Sequence, residues 1–236
     1  MKKIIIAIAA LLASPNALAA QKQESPITVA VLDTGIAEVG ALEGRVIGNY
    51  DLYDPEEPRA ELRSSHGTMV ANIIAERTDA NVRFIGMRIE KNRCRGDICE
   101  VDEKAIRRAI RMAIDMDVDV IQASIYGRMR RETRDLFIEA ANNGIAVVLA
   151  AGNHGGLALG GMILKEAPAN VYIVSSLDQD GRPSEFSAHM NGRLRDQMIW
   201  RLGEDIPTVN RTGEPTLATG TSFAAPLYAT EIILQR

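Results

Sequence analysis

Three short segments of this 236-residue chain carry side chains of the kinds that break acyl bonds: residues 31–35 (VLDTG), 65–71 (SHGTMVA) and 219–226 (TGTSFAAP). A serine hydroxyl is a poor nucleophile at neutral pH and needs a neighbouring base. A histidine, with an ordinary pKa of about 6.5, suits that work, and a carboxylate can hold the imidazole in the productive tautomer. Ser222, His66 and Asp33 supply one of each. Taken singly, each has a plainer reading: an aspartate after an apolar run can cap a helix or turn, a histidine before Gly-Thr can be a satisfied core residue, and Gly-Thr-Ser can be a loop. Asp33-Thr34-Gly35 alone also fits an aspartic protease, but that chemistry needs a second such segment or a symmetric dimer, and it leaves His66 and Ser222 without work.

Residues so far apart in sequence converge only if regular elements deliver them. Residues 27–32 (ITVAVL) form a β-branched apolar run with no polar alternation, which predicts a strand buried on both faces of a parallel sheet. The runs at 82–89, 118–125, 145–151 and 171–175 have the same character. Between the second and third, Val101, Ala105, Ile106, Ala109, Ile110, Ala113 and Ile114 recur at helical spacing, with Glu103, Lys104, Arg107, Arg108 and Arg111 on the other face. Residues 133–142 predict another helix, stopped by Gly144. Strand and helix in alternation predict one α/β domain with a mostly parallel sheet, whose sites lie at the carboxyl ends of the strands. Asp33 and Asn153 each follow directly on such a run.

Together the three segments resemble, residue for residue and in the chain order Asp, His, Ser, the signature segments of the subtilisin-like serine proteases. The resemblance extends to residues 150–153 (AAGN), 120–124 (VIQAS) and 184–187 (SEFS) and covers most of the chain after residue 20. It implies a subtilisin-like three-layer α/β fold, a catalytic triad of Asp33, His66 and Ser222, and a polypeptide substrate. Ser222 would open a helix, where one backbone N–H and the side-chain amide of Asn153 would form an oxyanion hole. Gly35, Gly67 and Gly220 would let backbone pass where a Cβ would clash. An extended substrate would add a strand to exposed backbone, lined by Ser124, Ile125 and Tyr126 on one side and Ala151 and Gly152 on the other, with Lys165 and Glu166 near the end of the specificity pocket. The segment after residues 82–89 would form a lip of the cleft.

The chain also departs from that family. Residues 70–77 lead to 82 with no room for the calcium-binding insertion many subtilisins carry, so no metal or other cofactor is expected. Only residues 21–25 stand where relatives hold a folding propeptide, which implies unaided folding or a helper or inhibitor chain supplied separately. Asn72 replaces a glycine usual after the histidine motif. The alternative function is a subtilisin scaffold used as a binding or toxin subunit, with weak or restricted activity.

Lys2 and Lys3, an apolar run from residue 4 to 12, and Ala17-Leu18-Ala19-Ala20 predict a secretory signal peptide over residues 1–20, a peptidase domain over 21–236, and a periplasmic or extracellular product without a membrane anchor. The formal charge of −4 becomes −6 once Lys2 and Lys3 leave, with basic and acidic residues interleaved, which argues against a nucleic-acid partner. An aromatic content of 4% argues against a platform for stacking bases. Cys94 and Cys99 lie in one segment, CRGDIC, of a chain expected to leave the cytoplasm, so a disulfide is expected, with two free thiols as the alternative. The only histidines, His66, His154 and His189, are not at metal-ligand spacing.

Overall fold

A computed structural model describes residues 25–56, 62, 64–79, 81–95, 98–125, 129–158 and 160–236, and for residues 92–95 and 98–99 the backbone alone. The expected signal peptide and Tyr126 lie outside the described residues, as do the side chains of Cys94 and Cys99. Among the described residues eleven strands follow in chain order: β1 Ile27–Asp33, β2 Val46–Asp51, β3 Val82–Arg88, β4 Glu90–Arg95, β5 Ile98–Val101, β6 Val120–Ala123, β7 Ala146–Ala150, β8 Val171–Leu177, β9 Ile199–Leu202, β10 Ile206–Val209 and β11 Pro215–Ala218. Four α-helices join them: α1 His66–Ala75, α2 Glu103–Asp115, α3 Arg131–Asn142 and α4 Thr221–Leu234.

Seven strands form one sheet in the order β2-β3-β1-β6-β7-β8-β9, every neighbouring pair parallel. The unalternating sequence of β1 follows from the layers above and below it. Ala30 and Leu32 pack with Ala105, Ile106, Ala109 and Ile110 of α2 and with Phe137 and Ala140 of α3. Val29 and Val31 point the other way, into a second cluster with Val70, Ile73 and Ile74 of α1 and Ala224, Ala225 and Ala229 of α4. All four strand residues are fully buried. Burial of each large aliphatic side chain in such a layer stabilises the fold by roughly 1.5–3 kcal/mol. The result is the expected three-layer α/β architecture.

From β1 the chain runs outward to β3 and β2 on one side and to β6, β7, β8 and β9 on the other. The carboxyl ends of β1 and β6 therefore flank the topological switch point, where open parallel sheets hold their sites. Asp33 is the last residue of β1.

Two elements differ in extent from the sequence reading. The helix expected from Val101 starts at Glu103, because Asp102 is its N-cap and accepts the Ala105 N–H at 2.8 Å. Val101 instead belongs to β5, opposite Glu90 of β4 in an antiparallel hairpin. The run at 118–125 forms a strand only over Val120–Ala123, which leaves Ser124 and Ile125 beyond the sheet at the carboxyl end. Asn72, unexplained in the sequence, is a fully buried α1 residue that accepts the Thr208 hydroxyl of β10 at 3.3 Å. Gly144, with φ of +89°, occupies the left-handed position that ends α3.

Candidate active site

Asp33 and His66 meet at the carboxyl end of the sheet. His66 is the first residue of α1, and its Nδ1 lies 2.8 and 2.9 Å from the two Asp33 carboxylate oxygens. The Asp33 side chain is 2% exposed and also accepts the Thr34 N–H at 2.8 Å, so it is fixed from two directions while the imidazole reaches the surface. Two threonines of the same motifs hold α1 against the end of β1: the Thr34 hydroxyl accepts the Gly67 N–H at 2.9 Å, and the Thr68 hydroxyl accepts the Ala37 N–H at 3.0 Å. Gly67 is required there, since a Cβ would come within 2.4 Å of the Gly35 carbonyl oxygen.

Ser222 arrives from the opposite end of the sequence at the start of α4. The His66 ring lies 5.3 Å, centroid to centroid, from Phe223, the residue next to Ser222, so the two helix starts adjoin. Ser124, just past the end of β6, donates its hydroxyl to the Ser222 carbonyl at 2.8 Å, and the Ser222 hydroxyl makes a long 3.5 Å contact with the Ser124 carbonyl. In this rotamer the Ser222 hydroxyl is turned to Ser124; such contacts commonly rearrange when substrate binds.

Asn153, in the loop after β7, meets the same helix start. Its Oδ1 accepts the Thr221 N–H at 2.9 Å and the Thr221 hydroxyl at 2.8 Å. A backbone N–H can only donate, so the atom facing it is the amide oxygen, and Nδ2 is left as a donor on an exposed residue. Nδ2 lies beside Gly220, whose φ of +148° and lack of Cβ make room: a Cβ there would stand 2.9 Å from it. The Ser222 N–H, in the first turn of α4, has no partner among the described residues. The site thus presents a base with its orienting carboxylate, a hydroxyl, and two donors at a helix start.

The sequence profile of the subtilase family matches residues 24–233. The chain belongs to that family. The cell wall-associated protease of Bacillus subtilis (strain 168) is 27% identical over 222 residues, 91% of this chain and 24% of that protein. The major intracellular serine protease of the same organism is 31% identical over 215 residues, 85% of this chain and 65% of that protein. The chain therefore spans less than two thirds of the length of these curated relatives. Among solved structures, a cold adapted subtilisin-like serine proteinase superposes with a TM-score of 0.72 at 23% identity, covering 89% of this chain and 75% of that one. The prenylagaramide maturation protease PagA gives 0.70 at 22%, covering 90% and 77%. At such identity the structural likeness concerns the subtilase fold.

Within this subtilase the expected substrate-lining residues divide. Ile125 and Ala151 border one cavity of about 100 Å³, with Val101, Ile106 and Met129 on its apolar walls and Glu103 on its polar side. Gly152 has its N–H committed to the Thr221 hydroxyl at 3.1 Å and its carbonyl to the Ala188 N–H at 2.8 Å, so it shapes the site without a free N–H to pair with a peptide. Lys165 and Glu166 do not line the cavity; Glu166 forms an ion pair with Arg134 of α3 at 3.4 Å, and Gly160 is the residue of that segment that lines it. His154 is exposed and bonds the Leu157 carbonyl of its own loop at 3.0 Å.

Sequence reasoning missed two features. Glu103 ties the starts of α2 and α3 together by accepting from the Arg107 guanidinium at 3.0 Å, the Thr133 hydroxyl at 3.2 Å and the Arg130 N–H at 3.0 Å. A buried charged cluster also sits at the ends of β2 and β3 and the start of β4. Asp51, Arg88 and Glu90 are 5%, 2% and 1% exposed, and their only sequence signal is charge placed directly after an apolar run.

Proposed function

We propose that this chain is an exported serine endopeptidase in which Asp33, His66 and Ser222 form a catalytic triad. The observation that carries the reading is the Asp33–His66 hydrogen-bonded pair adjoining the start of the helix that bears Ser222. In the proposed reaction the Ser222 oxygen attacks the scissile carbonyl carbon while His66 takes the hydroxyl proton. The imidazolium then gives that proton to the leaving amine as the C–N bond breaks, which leaves an acyl-serine. Water, deprotonated by His66, attacks the ester, and the proton returns to Ser222 as the acid departs. Asp33 fixes the tautomer and stabilises the imidazolium, and Asn153 Nδ2 with the Ser222 N–H receives the oxyanion.

Ile125 and Ala151, which both line the cavity, support a polypeptide substrate with one apolar side chain seated there. The signal-like residues 1–20 support export to the periplasm or beyond. No helix among the described residues is long and apolar enough to cross a membrane. A separate folding helper or inhibitor chain remains part of the proposal, on the short stretch between the leader and β1.

A fluorophosphonate probe reacts only with an activated serine, so it should label this protein stoichiometrically and label Ser222→Ala not at all. Absence of labelling of the folded protein would favour the scaffold acting as a binding or toxin subunit. For Cys94 and Cys99, the backbone sets them directly opposite in the β4–β5 hairpin. Cross-strand neighbours lie about 4.5–5.5 Å apart, within the span a disulfide accepts. Protein recovered from an oxidising compartment should therefore show no titratable thiol before reduction and two after it.

A further inference from the structure

Glu90 begins β4, immediately after Ile89, whose N–H donates to the carbonyl of the proposed catalytic Asp33 at 2.9 Å. Its side chain is 1% exposed, yet neither carboxylate oxygen has a hydrogen-bond partner among the described residues. Among the described residues it pairs with Arg88 at the end of β3, whose Nε is 3.6 Å from Glu90 Oε1, beyond hydrogen-bond range. Arg88 is already engaged by Asp51 of β2, which it hydrogen-bonds and which also accepts the Tyr53 and Asp54 N–H groups at 3.0 and 2.8 Å. One guanidinium thus serves two buried carboxylates, and Asp51 has the better hold on it.

A buried carboxylate without donors is costly in its charged form. Burial accordingly pushes the Glu90 carboxyl up to about 7, against the opposing pull of Arg88, with Asp33 raising it further and His66 lowering it. Among the described residues, the charged groups that act on the Glu90 carboxyl are Arg88 from β3, Asp33 from β1 and His66 from α1, and Asp51 of β2 shares Arg88 with it; across the hairpin its β5 neighbour is the uncharged Val101. Lys91 and Glu100 pair with each other at 3.3 Å on the hairpin surface. Of these groups only His66 changes charge during the proposed reaction.

We propose that Glu90 is a positioning residue whose ionisation sets the strength of His66 as the catalytic base. Below neutral pH the protonated acid adds no charge to the site. Above it, the carboxylate places a second negative charge behind the Asp33–His66 pair and stabilises the imidazolium that forms as Ser222 attacks. The inference rests on the proposed triad. It adds to that reading a third ionisable group, one that substrate does not touch.

The test is the pH dependence of fluorophosphonate labelling in the native protein and in Glu90→Gln, the neutral isostere of the protonated acid. Glu90→Gln should label at the native rate near pH 5.5 and about threefold more slowly near pH 8.5, with the acid limb moved down by about half a pH unit, a modest share of what a charge in direct contact produces. Glu90→Asp should recover part of the alkaline rate. A uniform loss at every pH would mark Glu90 as structural only and overturn the proposal. A second measurement does not depend on that variant or on turnover: in Ser222→Ala, the His66 ring signals followed by NMR should show an additional inflection near pH 7 from Glu90. A single inflection there would also overturn it. If the native protein labels at no pH, the serine-nucleophile reading fails, and the NMR titration still decides whether Glu90 and His66 are coupled.

Discussion

Replacing Ser222 or His66 by alanine should reduce peptide hydrolysis by a factor on the order of 10⁶ in turnover, the scale known for subtilisin, and the double variant should be no slower than either single one. The two residues act in one step: without the base the hydroxyl is not activated, and without the hydroxyl the base has nothing to activate. Steady-state kinetics on a fluorogenic peptide measures all three variants, and losses that multiply would remove the two residues from a common step. The stability effects should differ. Ser222 contributes through its side chain only a 3.5 Å hydrogen bond, so Ser222→Ala should unfold at the native midpoint. His66→Ala leaves the buried Asp33 with the Thr34 N–H alone, and leaving a buried polar group short of a partner costs about 1–3 kcal/mol. A variant that is inactive at native stability therefore isolates chemistry from folding, and Ser222→Ala is the one to use.

The parts of the fold legible in the sequence are those where one physical demand dominates. β1 reads as an unbroken apolar run because helices cover both of its faces, and α2 shows its stripe because one face packs on the sheet while Lys104 and Arg111 meet water. β2 and β9 did not declare themselves. They are the two edges of the sheet, and their sequences, VIGNYD and IWRL, mix polar and apolar residues because one side of each lacks a strand neighbour. The hairpin β4–β5 stands outside the main sheet and meets the core through Val101, so its pairing follows from backbone register and not from an alternating hydrophobic pattern. Val101 misled because it falls in phase with Ala105; the N-cap Asp102 was the better guide to where the helix begins.

At the candidate site, resemblance to the signature segments of the subtilisin-like proteases named Asp33, His66, Asn153 and Ser222, and the fold brings all four to the adjoining starts of α1 and α4. The supporting threonines Thr34, Thr68 and Thr221 lie inside the same motifs and were readable in principle, since each spends its hydroxyl on a nearby backbone N–H. Glu90 was not readable. An acidic residue after a strand normally turns to water, and only the fold reveals that this one is enclosed.

Asn153→Ala should lower turnover by a factor on the order of 10²–10³ and change the Michaelis constant little, because a donor aimed at the oxyanion strengthens only as negative charge develops. Alanine removes two things together: the Nδ2 donor, and the Oδ1 acceptor that holds Thr221 at the start of α4. The second loss resembles removal of a helix cap and should cost about 1 kcal/mol of stability. Asn153→Asp separates them. A carboxylate keeps an acceptor for the Thr221 N–H and brings negative charge to a helix N-terminus, which is favourable, so stability should be retained or raised. The same carboxylate has no N–H to donate and repels the forming oxyanion, so turnover should fall at least as far as in Asn153→Ala. Thermal unfolding and kinetics on one substrate read both effects. Retained turnover in Asn153→Asp would show that Asn153 serves α4 and not the reacting carbonyl.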